Sequence, residues 1–159
     1  MHPATHSTRA VRYLATLLIA SVATALVPLT SAYASDATLR VTLNTWSRTI
    51  AIDAHSVALA ARNRHPRRMI FSARRFHNDS LRARAAITRQ HPSSASGRRA
   101  RKLALAAYTN YNRAGTGWAA SGRARLAHHT SAAKHAAVAA ARAAHKGSTQ
   151  LLAASKLLH

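Results

Sequence analysis

The chain has 159 residues, 24 Lys and Arg against 3 Asp and Glu, a formal net charge of +21, and no cysteine. That balance excludes a disulfide framework and thiolate metal ligation, leaves few carboxylates for acid–base catalysis, and favours anionic partners. A chain of this size is expected to hold one domain.

The first 34 residues read as a leader. Arg9 and Arg12 precede an uncharged apolar run from Tyr13 to Leu29, broken by Pro28 and followed by Ala32-Tyr33-Ala34 and Ser35. Cationic, apolar, helix-breaking and small-x-small segments in that order predict a secretory signal peptide cleaved after Ala34. The alternative is an uncleaved membrane anchor. The run is at the short end for crossing a ~30 Å hydrocarbon core, which takes roughly 20 residues. Removing the leader takes away Arg9 and Arg12 and no acid, so the charge of residues 35–159 is +19. Asp36, Asp53 and Asp79 are its acids. These residues hold 20 Leu, Ile, Val and Phe among 125, or 16%, under the ~20% below which a highly charged chain tends to disorder. Alanine offsets this by its helix propensity while contributing little burial. The expected fold is all-α, a three- or four-helix bundle with a thin alanine-rich core, parts of which order fully only on a partner.

In chain order, a helix is predicted over 36–65, with Asp36 able to cap it. Leu39, Leu43, Trp46, Ile50, Asp53, Val57 and Ala60 fall on one stripe at alternating spacings of four and three, the seam of a packed helix. Asp53 on that stripe is expected to pair with an arginine of the next helix and fix register, because a buried carboxylate needs a partner. Pro66 ends the segment. A second helix is predicted over 67–90 on Met69, Ala73, Phe76, Ser80, Ala83 and Ile87, widened by Ile70 and Leu81. Trp46, Asp53 and Phe76 are the structural residues of this pair. Residues 91–97, rich in Ser with Pro and Gly, read as a loop.

A third helix is predicted over 98–114. Gly115, Gly117 and Gly122 then crowd eight residues. Each costs ~1 kcal/mol relative to Ala inside a helix, so either the helix breaks or it packs very closely, and a break or kink is expected. A fourth helix is predicted over 123–146, then an interruption at Gly147-Ser148 and a last helix over 148–158. Ala95-Ser96-Gly97-Arg98 and Ala120-Ser121-Gly122-Arg123 look alike; as a true repeat they would start two helices, as low complexity they mean nothing. No strand or hairpin pattern is present.

Catalytic motifs are missing. No paired carboxylates, nucleophile elbow, phosphate loop or dinucleotide fingerprint can be read, so no enzymatic activity, cofactor or small-molecule substrate is assigned. The histidines His128, His129, His135 and His145 lack the three- or four-residue spacing of a helical metal pair, so no metal site is expected. Arginines cluster at 62–68, 74–75, 82–89, 98–101 and 123–125. From these, Arg67, Arg68, Arg74, Arg75, Arg98, Arg99 and Arg101 are the candidates for binding an anionic surface or polymer. Tyr108, Tyr111 and Trp118 are either stacking faces or core. The Ala/Lys stretch from Ala132 to Lys146 resembles in composition the tails of DNA-compacting histone-like proteins, which implies nucleic acid as one partner. Export points instead to cell-wall polymers, acidic lipids or extracellular DNA. The leading expectation is a secreted, non-enzymatic, anion-binding helical protein. The alternatives are a membrane-active cationic effector and a structural secreted protein without a specific ligand.

Overall fold

A computed structural model describes residues 34–159, with side chains from Asp36 onward. The leader reading lies outside the described residues. Four helices fill the described chain: α1 (Ala34–Arg62), α2 (Pro66–Thr88), α3 (Ala95–Leu126) and α4 (Thr130–Lys156). No strand occurs among the described residues, and the all-α bundle is the fold.

Each helix runs antiparallel to the one before it. Asp53 of α1 meets Arg75 of α2, Arg101 of α3 reaches the last carbonyls of α2, and Ser121 of α3 donates to the Ala133 carbonyl near the start of α4. The α1–α2 and α3–α4 turns therefore share one end of the bundle. The α2–α3 loop and the last residues of the chain share the other. Backbone contacts are concentrated between consecutive helices, with α3 packed on both α2 and α4.

The two predicted stripes are the core faces of α1 and α2. Leu39, Leu43, Ile50, Asp53, Val57 and Ala60 are buried on α1, and Met69, Ala73, Phe76, Ser80, Ala83 and Ile87 on α2. Trp46 is half-buried against this core. Phe76 presents edges to Tyr111 and Trp118, with centroids at 5.7 and 5.2 Å. Tyr108, Tyr111 and Trp118 are thus core residues rather than stacking faces, each 4% exposed or less.

Two expected breaks are absent. α3 is continuous through Gly115, Gly117 and Gly122, and α4 through Gly147-Ser148. The cause is close approach. A methyl group at Gly115 would sit 2.9 Å from His77 Cβ and 3.0 Å from the Ala73 carbonyl of α2; one at Gly147 would sit 2.8 Å from the Tyr111 ring. Packing between helices outweighs the ~1 kcal/mol propensity cost of each glycine. Along α4 the buried residues are Ala133, Ala140, Gly147 and Ala154, one every seventh residue, so this alanine-rich stretch is a packed helix and not a free tail. The two Ala-Ser-Gly-Arg segments lie at the start and near the end of one helix, so they do not start separate helices.

Candidate anion-binding end of the bundle

The two turns at the shared end have the same construction. At the first, the Arg64 N–H donates to the Ala61 carbonyl at 3.2 Å and the His65 N–H to the Ala60 carbonyl at 2.9 Å. At the second, the His128 N–H donates to Arg125 at 3.2 Å and the His129 N–H to Ala124 at 2.8 Å. Both are Schellman closures, in which the residue after the helix turns left-handed. That residue is Arg64 (φ 56°) at one turn and His128 (φ 58°) at the other, positions where glycine is ordinarily the least strained choice.

Each turn leads directly into a helix without a side-chain cap. His65 and His129 hold the N-cap positions of α2 and α4, and neither makes a capping hydrogen bond. The backbone N–H groups of Arg67, Arg68, Ser131 and Ala132 have no acceptor among the described residues. Neither helix carries an acid in its first turn. Two helix N-termini, each the positive end of a dipole, thus open at the same end of the bundle, with α3 packed between their helices.

Cations gather around them. Arg62 and Arg64 close α1, Arg67 and Arg68 open α2, Arg123 and Arg125 close α3, and Lys134 lies in the second turn of α4. All seven are exposed, and none of their side chains makes a hydrogen bond or ion pair with a described residue. His65, His128, His129 and His135 lie at the same end and are exposed. The three aspartates are elsewhere: Asp36 at the opposite end, Asp53 and Asp79 at mid-height.

The seven arginines chosen from sequence do not form one site. Arg67, Arg68 and Arg74 are exposed along the outer face of α2. Arg75 places its Nε 2.8 Å from Asp53 Oδ1 and 3.9 Å from Asp79 Oδ2. Arg98, Arg99 and Arg101 lie at the far end, roughly one α2 length away, which for 23 residues is about 35 Å. Arg101 donates from Nε to the Ile87 carbonyl (3.2 Å) and from Nη2 to Thr88 (2.6 Å), capping α2. Arg98 donates to the Ser93 carbonyl. Of that trio, Arg99 alone has no internal partner among the described residues. The sequence reading missed the meeting of 62–68 with 123–125. Reading Gly122 as a helix start hid the fact that Arg123 and Arg125 end one.

Asp36 also differs from expectation. It lies in the first turn of α1, yet its carboxylate serves α3: Oδ1 accepts from the Ser93 N–H at 3.0 Å, and Oδ2 accepts from the Ser94 hydroxyl. Ser94 Oγ in turn accepts from the Gly97 N–H at 2.8 Å as the N-cap of α3. The pairing expected for Asp53 is present, with an addition: Asp79 converges on the same guanidinium. Neither Asp53 oxygen receives a directed hydrogen bond, so the Arg75 contact is electrostatic. Burial, and then the neighbouring Asp79 carboxyl, push the Asp53 carboxyl up to about 6 against the pull of Arg75. Asp79 is held further by Arg82 Nη1 at 3.1 Å. The Asp53 side chain is 0% exposed and that of Asp79 11%, so the pair is closed to a substrate.

No group of His, Asp or Glu among the described residues could hold a metal ion, and no helix among them is long and apolar enough to cross a membrane. Comparison with protein-family models, curated proteins and solved structures found no match to this chain.

Proposed function

We propose that the protein is exported and that its bundle binds an anionic surface or polymer without catalysis, through the end where the α1–α2 and α3–α4 turns meet. The observation that carries this reading is the coincidence of seven unpaired cations with two uncapped helix N-termini and no acid. Arginines in the first turn of α2 oppose its dipole, which makes the arrangement unfavourable until an anion joins it. A phosphate or carboxylate there gains backbone N–H donors and guanidinium partners together. Export is supported by the leader pattern of residues 1–34.

The test is elution from an anionic matrix in a salt gradient. Arg67→Glu with Arg68→Glu is expected to lower the eluting salt concentration markedly, and Arg98→Glu with Arg99→Glu much less, although both pairs change net charge equally. Equal shifts would reduce the behaviour to bulk charge.

A further inference from the structure

The outer face of α2 carries a feature that charge alone does not explain. Phe71 is 71% exposed, the most exposed large apolar side chain described. Its neighbours along the helix surface, one turn before and one turn after, are Arg67, Arg68, Arg74 and Arg75. It lies about 7 Å along α2 from the turn end, and side chains of α2 lean toward that end because it is the helix N-terminus. Leu126, the last residue of α3, and Leu59, in the last turn of α1, are exposed at 44% and 48% close to the same end. Arg75 is held by Asp53 and Asp79, so the free guanidinium groups around the ring are those of Arg67, Arg68 and Arg74, and exposing an aromatic ring among them gains nothing for the isolated bundle. It suits a boundary that is anionic outside and apolar beneath.

Resting on the anion-binding reading above, we propose that this end docks peripherally on an anionic phospholipid bilayer, with Phe71 entering the headgroup–acyl boundary and the arginines on lipid phosphates. Nucleic acid is the less suited polyanion. Single-strand binding uses several exposed aromatic platforms, whereas Phe76, Tyr108, Tyr111 and Trp118 are all buried and the apolar residues near Phe71 are aliphatic. The surface is a convex helix face, which a planar interface accommodates. Each free guanidinium near an anionic surface adds an attraction that salt screens, and the ring adds an apolar term that salt does not screen.

The absence of cysteine from the whole chain gives a direct test. Phe71→Cys, and separately Arg99→Cys at the far end, are labelled with an environment-sensitive fluorophore and mixed with phosphatidylglycerol vesicles. The label at 71 is expected to shift to the blue and brighten several-fold, and the label at 99 to stay aqueous. Neither label is expected to shift with phosphatidylcholine vesicles or soluble polyphosphate. Phe71→Ser is expected to weaken partitioning onto phosphatidylglycerol about ten-fold and to leave polyphosphate binding unchanged. A label at 71 that stays aqueous on bound protein, or equal burial of both labels, overturns the docking geometry. Polyphosphate binding without vesicle binding overturns the lipid assignment and leaves the anion-binding reading standing. Loss of both overturns the two together.

Discussion

The two ends of the bundle carry similar charge and use it in opposite ways. At the α2–α3 loop, Arg101 caps the carbonyls of α2, Arg98 holds the Ser93 carbonyl, and Asp36 with Ser94 satisfies the start of α3. At the turn end, the side chains of Arg62, Arg64, Arg67, Arg68, Arg123, Arg125 and Lys134 have no partner among the described residues, and two helix N-termini lack a side-chain cap. The lesson is that a cation's role follows from what its neighbours still need. Where helix ends need partners and a carboxylate is at hand, arginine becomes part of the fold. Where they need an anion and the chain supplies none, arginine remains available.

The contrast can be broken by mutation, and the largest effect is expected at the loop end. Asp36→Ala removes the acceptor of the Ser93 N–H and Ser94 hydroxyl and loosens the α3 cap, costing about 2 kcal/mol in urea unfolding. A loss under 0.5 kcal/mol would show that this end is no better consolidated than the other. At mid-height, Asp53 separates pH effects from both ends. Its folded-state value, about 6, lies above the ordinary 3.8. The folded state therefore holds the proton more tightly, and stability falls as pH rises from about 4 to about 6. Relative to the parent, Asp53→Asn should gain stability over that window by about 1 kcal/mol, discounted for the solvent around half-exposed Arg75. Thermal unfolding at pH 4, 5 and 7 reads this, and a constant gap contradicts it.

How much of this was legible in the sequence depended on the kind of interaction. Periodicity revealed α1 and α2, because Leu39 through Ala60 and Met69 through Ile87 bury large side chains at helical spacing. It failed for α3 and α4, where contact is made by absent side chains. Gly115, Gly117 and Gly147 look like breaks in a one-dimensional reading and are points of closest approach in the fold. The Asp53–arginine pair was legible from a charge on an apolar stripe. Asp79 stands among arginines in the sequence, four residues after Arg75, but its convergence with Asp53 on that one guanidinium was not legible. The candidate site was half visible: Arg67 and Arg68 stood out as a cluster, but their neighbours Arg123 and Arg125 come within reach only once α3 runs unbroken to Leu126.

Smaller effects sharpen the comparison at the turn end. Arg64→Gly relieves a left-handed residue and should stabilise the bundle by about 1 kcal/mol while weakening polyanion binding. Arg67→Ala with Arg68→Ala removes cations from a helix N-terminus and should stabilise by a few tenths of a kcal/mol, again at the expense of binding. Stability rising while affinity falls is the mark of residues kept for a ligand. If both fell together, the turn-end arginines would be structural after all.

Backbone hydrogen–deuterium exchange of the bundle with and without polyphosphate tests the central claim most directly. Slowed exchange is predicted across residues 63–68 and 127–134, including the N–H groups of Arg67, Arg68, Ser131 and Ala132, with little change at 89–101. Protection centred on the α2–α3 loop, or spread evenly over all four helices, would contradict a dedicated anion-binding end.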